Sequence, residues 1–146
     1  MTNQKATILL AEDEDTDAYF VQWATTQSGL QHDIVRVVDG QEAVDYLGGR
    51  PPFEDRARHP LPDLVLLDLR MPRLEGFDVL SWIKTRPELK EIPVVVLTSS
   101  QHPADMDKAR ALGAADYIVK PGNPKKLAQV MVDINTKWLA PISAEE

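Results

Sequence analysis

The chain has 146 residues, near the usual size of one domain, so we expect a single domain over residues 1–146. It contains 43% hydrophobic and 27% charged residues, as folded globular proteins do, and it has no cysteine, which excludes disulfides, zinc–thiolate sites and a cysteine nucleophile. The net charge of -7 argues against nucleic acids and anionic membrane surfaces as partners.

The first part of the chain alternates short apolar runs with helical patterns. Residues 6–11 form an apolar run that is too short for a buried helix and favours a strand. Residues 16–28 carry apolar side chains on one helical face and stop at Gly29, which predicts a first helix. A second strand is predicted over residues 34–38 and a short helix over residues 41–47.

The next segment interrupts this alternation. Residues 48–62 hold four prolines and show no periodicity, whereas connections in compact domains usually have about 4–6 residues. We therefore interpret this segment as an insertion loop. A buried strand over residues 64–67 and a helix over residues 74–85 follow it.

The last part of the chain returns to the same pattern. Strands are predicted over residues 93–97 and 117–119, with a helix over residues 104–112 between them. A final helix over residues 124–138 completes a core of about residues 5–138 and leaves a short tail at 139–146, so we expect no second domain.

Five strands that alternate with five helices predict a doubly wound α/β fold, in which helices cover both faces of a parallel sheet. No apolar run approaches the roughly 20 residues of a membrane span. The first residues lack the apolar core of a secretion signal, so we expect a cytoplasmic protein.

Polar side chains follow several of the predicted strands. In parallel sheets the strand ends meet at one edge, where ligands bind. The residues expected there are three carboxylates, two hydroxyls and an ammonium group: Glu12, Asp13, Asp68, Thr98, Ser99 and Lys120. Clustered carboxylates repel one another and favour a hard cation, and an all-oxygen donor set suits Mg²⁺ or Mn²⁺.

Each of these residues also has a simpler interpretation. Asp68 can be a turn residue, Thr98 a helix cap and Lys120 a surface lysine. The neighbouring acids Glu14 and Asp15, together with Asp17, are equally typical of a solvated helix start. The edge of the sheet would lack a functional site only if all of these simpler interpretations were correct at once.

The sequence resembles the receiver domains of two-component response regulators. The matching segments are residues 9–13, 66–72, 96–99 and 113–121, together with Gly76, and the resemblance covers roughly residues 5–138. It implies a flavodoxin-like five-stranded sheet in the order 2-1-3-4-5.

The resemblance also implies roles for individual residues. Asp68 would accept a phosphoryl group, and Glu12, Asp13, Asp68 and the backbone carbonyl of Arg70 would hold Mg²⁺ or Mn²⁺. Thr98 and Lys120 would bind the phosphoryl oxygens, and Tyr117 would be the aromatic switch that moves inward with Thr98. Arg70 and Ser100 occupy positions that tune the lifetime of the acyl phosphate in this family.

The implied function is a phosphorylation switch without enzymatic turnover of a separate substrate. The phosphoryl group would come from a histidine kinase or a phosphotransfer protein, and a role as a phosphorelay intermediate stays open. The proline-rich insertion resembles that of small receivers paired with bacterial phytochrome kinases, which suggests a bacteriophytochrome kinase as the partner.

Two other functions fit the predicted fold. A phosphatase with a phosphoaspartate intermediate needs an Asp-x-Asp signature, but Arg70 occupies the second acidic position. A flavodoxin-like electron carrier needs small hydroxyl and glycine residues around its flavin phosphate, whereas residues 12–15 are all acidic.

Two surfaces are candidates for partner contacts. Tyr19 and Trp23 are expected to stack on the outer face of the first helix and to dock a kinase. The apolar tail over residues 138–142 suggests a homodimer, formed as in related receivers through the face of helix 4, strand 5 and helix 5.

Overall fold

The computed structural model describes residues 5–139. It contains one sheet of parallel strands: β1 (Thr7–Ala11), β2 (Asp33–Val37), β3 (Leu64–Leu67), β4 (Val94–Thr98) and β5 (Asp116–Val119). Their order across the sheet is β2-β1-β3-β4-β5, which confirms the predicted fold. All four residues of β3 are buried, because helices cover both faces of the sheet.

The helices are α1 (Asp15–Gln27), α2 (Gly40–Gly48), α3 (Gly76–Lys84), α4 (Pro103–Ala111) and α5 (Pro124–Ile134), followed by a π-helical segment (Asn135–Leu139). Helices α1 and α5 pack together over one face of the sheet, and α2, α3 and α4 cover the other. Alternation along β1 shows how the core divides: Ile8 and Leu10 face α1 and α5, and Leu9 and Ala11 face the other helices.

Most predicted bounds agree with the structure to within one residue, but two helices differ. Helix α3 begins at Gly76 rather than at residue 74, because Arg73 adopts a left-handed φ of 70° that ends the preceding loop. Helix α5 ends at Ile134, and the chain then widens into the π-helical segment. This segment buries Leu139 against the core between α1 and α5.

The predicted insertion loop is ordered by side chains. The Arg56 guanidinium donates to the carbonyl oxygens of Tyr46 at 2.9 Å and Leu47 at 2.8 Å, which lie in the last turn of α2. A cation at this position neutralises the negative end of the helix dipole. The Tyr46 hydroxyl donates to the Pro60 carbonyl at 2.8 Å and ties down the far end of the loop. Within residues 5–139, no helix is both long and apolar enough to cross a membrane.

Candidate functional site

Backbone hydrogen bonds extend past the strands and align their ends at one edge of the sheet. The Glu12 amide donates to the carbonyl oxygen of the last residue of β2 at 3.0 Å. The Asp68 amide donates to the Ala11 carbonyl at 3.1 Å. The Lys120 amide donates in turn to the Thr98 carbonyl at 2.8 Å. Glu12, Asp68 and Lys120 are therefore placed by hydrogen bonds to the strands of the sheet.

Three carboxylates converge at this edge. Glu12, Asp13 and Asp68 each contribute an oxygen atom to a cluster in which these atoms lie within 4.8 Å of one another. Glu12 is only 2% exposed and Asp68 6% exposed, while Asp13 is half-buried. This arrangement of hard oxygen ligands fits Mg²⁺ or Mn²⁺, which would relieve the repulsion between the acids.

Burial changes the acidity of Glu12. Its removal from water, reinforced by the negative charge of Asp68, raises the pKa of the Glu12 carboxyl from 4.5 to about 7, although a hydrogen bond from Lys120 opposes the change. The protein without metal therefore keeps a proton on Glu12 over part of the physiological range.

Lys120 lies over the acids and contacts three of them. Its Nζ atom is 2.7 Å from Glu12 Oε1, 2.7 Å from Asp17 Oδ2 and 3.4 Å from Asp68 Oδ2. Burial opposes the charged form of Lys120, but the hydrogen bonds to Asp17 and Glu12 and the charge of Asp68 outweigh it and raise the pKa of the ammonium group. Lys120 is thus a permanent cation in the cleft.

Asp17 is the site residue that sequence reasoning missed. The sequence pattern groups it with Glu14 and Asp15 as part of a solvated helix start, yet its side chain is 39% exposed against 94% for Asp15 and it forms an ion pair with Lys120. Asp17 lies in the first turn of α1, and no neighbouring residue marks it out, because its partner Lys120 is 103 residues away in the chain.

A glycine allows the backbone at Asp68 and helix α3 to meet. A Cβ atom on Gly76 would lie 2.3 Å from the backbone oxygen of Asp68, closer than atoms can approach. The Gly76 amide donates to the Leu69 carbonyl at 3.1 Å and fixes this contact. The position of Asp68 thus depends on the absence of a side chain at residue 76.

Thr98 lies at the cleft on β4, and Tyr117 lies on the neighbouring strand β5. Thr98 is fully buried at the end of β4 and lines the cleft together with Asp68 and Lys120. The Tyr117 ring is also buried, and its hydroxyl donates to the Ser100 carbonyl at 3.0 Å. The aromatic side chain is therefore linked directly to the loop that follows Thr98.

A second acid that sequence reasoning missed lies at the mouth of the cleft. Asp105, in the first turn of α4, accepts a hydrogen bond from the Ser100 hydroxyl at 2.5 Å and one from the Arg70 guanidinium at 3.1 Å. These contacts, with the Ser100 bond the largest, lower the pKa of Asp105. The Arg70 side chain is thus held against α4.

The expected stacking of Tyr19 on Trp23 is wrong. Tyr19 is 62% exposed, but Trp23 is half-buried against the core between α1 and α5. Its ring packs edge-to-face on Phe20, with centroids 6.5 Å apart. The reason is that α5 packs along α1 and covers this side of the helix.

These groups define the chemistry that the cleft supports. Asp68 offers a buried carboxylate oxygen that can act as a nucleophile, Lys120 offers a fixed positive charge, and Thr98 offers a hydroxyl that can donate a hydrogen bond. The acid cluster would hold a divalent cation beside them. Such a set suits transfer of a phosphoryl group to a carboxylate.

Comparisons with known proteins agree with this chemistry. Residues 8–132 match the family model described as "Response regulator receiver domain". The response regulator Rcp1 of Synechocystis sp. is 35% identical, over 97% of this chain and 95% of that protein.

Two solved structures are similar over nearly the whole chain. The phosphorylated cyanobacterial phytochrome response regulator RcpA superposes with a TM-score of 0.87 at 37% identity, covering 94% of this chain and 96% of that one. The Mn²⁺-bound form of Rcp1 gives a TM-score of 0.82 at 36% identity, covering 92% and 94%.

Proposed function

The chain belongs to the response regulator receiver domains of two-component signalling, and we propose that Asp68 is the residue at which it is phosphorylated. The observation that carries this proposal is the position of the Asp68 carboxylate, 6% exposed, beside the acid cluster and 3.4 Å from the Lys120 ammonium. A carboxylate in this position can act as the nucleophile, and the positive charges beside it can neutralise those on the incoming phosphoryl group.

Transfer forms one bond and breaks another at phosphorus. An Asp68 Oδ atom attacks the phosphorus of a phosphohistidine, the P–N bond breaks, and its electron pair stays on the imidazole nitrogen. The product is an acyl phosphate, whose oxygens would accept hydrogen bonds from Lys120 and from the Thr98 hydroxyl. Mg²⁺ or Mn²⁺, held by Glu12, Asp13, Asp68 and the Arg70 carbonyl, would neutralise charge on the transferred group.

The switch follows from the link between Thr98 and Tyr117. Movement of Thr98 toward the phosphoryl group would pull on the loop at Ser100, whose carbonyl holds the Tyr117 hydroxyl at 3.0 Å. The signal would thereby reach β5 and α4 as a change in the surface around them.

The direct test is labelling of Asp68→Asn with acetyl phosphate and Mg²⁺, followed by intact-protein mass spectrometry. We expect the parent protein to gain one phosphoryl group and the variant to gain none. Asp78→Asn, which changes an exposed carboxylate on α3, is the matched control and should label as the parent does. Undiminished labelling of Asp68→Asn would contradict the assignment.

Receiver domains pair with histidine kinases, and the partner we propose here is a kinase of the bacterial phytochrome type. The similarity to RcpA, a phytochrome response regulator, supports it. We place the docking surface at the exposed Tyr19 and the adjoining groove between Phe20 and Pro121, with Trp23 supporting it from below.

The double variant Tyr19→Ala with Trp23→Ala tests this surface. It should slow transfer from the kinase and leave labelling by acetyl phosphate unchanged, since small donors need no docking. Equal slowing of both reactions would refute a docking role. Val38→Ala removes an exposed apolar side chain elsewhere and serves as the control.

We also propose a homodimer through α4, β5 and α5. Two features support it: β5 is an edge strand, and a shallow groove beside it exposes part of Ile118 and Val130. Of the apolar tail, Trp138 and Leu139 pack on the chain's own core, and residues 140–142 lie outside the described residues.

Sedimentation of the parent and of Val130→Asp, with and without phosphorylation, tests the dimer. We expect the parent to dimerise and the variant to stay monomeric, while Leu61→Asp, on a distant exposed apolar residue, should behave as the parent does. A parent that is monomeric under both conditions would overturn the proposal.

A further inference from the structure

The Lys120 ammonium has three hydrogen atoms, and in this structure two of them are committed to short ion pairs. Glu12 and Asp17 each lie 2.7 Å from Nζ, whereas Asp68 is farther away at 3.4 Å. The third hydrogen can reach a phosphoryl group on Asp68, but Lys120 can move toward that group only as far as its two short pairs allow.

The two short pairs differ in what can release them. Glu12 belongs to the carboxylate cluster that a divalent cation would draw together. Metal binding would therefore open the ion pair between Glu12 and Lys120. Asp17 is outside that cluster, and its partner in the structure is Lys120 alone among the contacts found for residues 5–139. Metal binding leaves the Asp17 pair in place.

The cleft contains few other cations that can bind an arriving anion. The cleft is lined by four acids, two hydroxyl residues and two cations: Asp13, Glu14, Asp17, Asp68, Thr98, Ser99, Arg70 and Lys120. Arg70 is held by Asp105 at 3.1 Å, at the mouth of the cleft. An anion that enters without help therefore meets a surplus of negative charge and a lysine that is already paired.

We propose that Asp17 is a specificity-determining positioning residue, which holds Lys120 back from small phosphoryl donors and so favours a docked protein donor. This inference rests on the proposed function of Asp68. A free donor such as acetyl phosphate must draw Lys120 away from Asp17 with its own binding energy. A phosphohistidine arrives with a protein interface that supplies additional binding energy.

The test compares Asp17→Asn with the matched control Asp15→Asn. Both substitutions remove one charge from the first turn of α1, but the Asp15 side chain is 94% exposed and its ion pair is with Arg36. Asp17→Glu, which keeps the charge, tests rescue. All proteins are measured at saturating Mg²⁺, fixed by a separate metal titration for each variant.

Two measurements are made on each protein. One is the dependence of the labelling rate on acetyl phosphate concentration, and the other is the affinity for beryllofluoride, an acyl phosphate mimic, by fluorine NMR. Loss of a partly exposed ion pair predicts that Asp17→Asn lowers the half-saturating acetyl phosphate concentration and tightens beryllofluoride binding by roughly three- to five-fold. The maximal labelling rate should stay unchanged, and Asp17→Glu should resemble the parent.

The outcomes separate this inference from the function on which it rests. If the parent is not labelled at Asp68, the proposed function fails. If the parent is labelled but Asp17→Asn matches the parent, or shifts no more than Asp15→Asn does, the role of Asp17 is overturned. A change in the maximal rate without a change in half-saturation would equally overturn it, since Asp17 would then affect the chemical step rather than access to Lys120.

Discussion

The buried Glu12 makes the stability of the protein without metal depend on pH. A carboxyl whose pKa is higher in the folded protein than in the unfolded chain binds its proton more tightly when folded. Unfolding then releases protons, so the free energy of unfolding falls as the pH rises between the two pKa values. For Glu12 this window extends from 4.5 to about 7.

The size of the effect follows from the same two values. The rise in the pKa of Glu12 from 4.5 to about 7 corresponds to roughly 3 kcal/mol, at about 1.4 kcal/mol for each pH unit. Solvent screening reduces it little, because Glu12 is only 2% exposed. In EDTA, the parent should lose up to about 3 kcal/mol of stability between pH 5 and pH 8 through this residue.

The assay is urea denaturation in EDTA across this pH range, with the parent compared with Glu12→Gln. The variant cannot titrate at this position, so the difference between the two proteins isolates Glu12 from every other group. Glu14→Gln, on an exposed neighbour in the same loop, should follow the parent. Added Mg²⁺ should stabilise the parent more at pH 8 than at pH 5, because the metal binds the charged carboxylate.

A stability difference between parent and Glu12→Gln that stays constant from pH 5 to pH 8 would refute the reasoning. It would mean that burial leaves the acidity of Glu12 unchanged and that the carboxylates share the edge of the sheet without a pH-dependent penalty.

Three further predictions concern the frame of the site. Asp13→Asn should raise the melting temperature in EDTA, because it removes repulsion between carboxylates, and it should lose most of the stabilisation by Mg²⁺. For the parent this stabilisation is about 2.7 kcal/mol at about one hundred times the dissociation constant. A variant that melts below the parent in EDTA, yet is stabilised by Mg²⁺ as much as the parent, would instead mark Asp13 as a structural cap. Gly76→Ala should lower the free energy of unfolding by about 1–3 kcal/mol, since the new methyl group meets the Asp68 backbone, and unchanged urea midpoints would show that α3 shifts freely. Leu139→Ala should lower the free energy of unfolding by about 2–4 kcal/mol, because this side chain is 1% exposed. The control Leu61→Ala, at an exposed position, should lower it by under about 0.5 kcal/mol. Equal losses for the two variants in urea titrations would contradict the packing of the π-helical segment.

Much of the fold was predictable because its signals are local. Each strand is a short apolar run, as in Leu64–Leu67, and turn residues separate the runs from the helices. The order of these elements along the chain, together with the right-handed crossover, is enough to predict a parallel sheet. Glu12, Asp68 and Lys120 could be grouped at its edge for the same reason, since parallel strands end on the same side.

Contacts between distant segments were not predictable in this way. Asp17 and Lys120 are 103 residues apart, and nothing beside Asp17 in the sequence distinguishes it from the solvated acids around it. Leu139 is buried and Trp23 is half-buried because α5 packs against α1. Likewise, Asp105 meets Arg70 and Ser100 only because α4 starts beside both loops.

The sequence by itself thus determined the strands, the helices and the acids, threonine and lysine that the sheet brings to one edge. Only the tertiary structure decided which of those charges pair, which carboxyl is buried deeply enough to change its acidity, and which aromatic side chains stay exposed. The physical reason is that hydrophobic periodicity acts over neighbouring residues, whereas burial and ion pairing depend on distances of a few ångströms between segments that packing alone brings together.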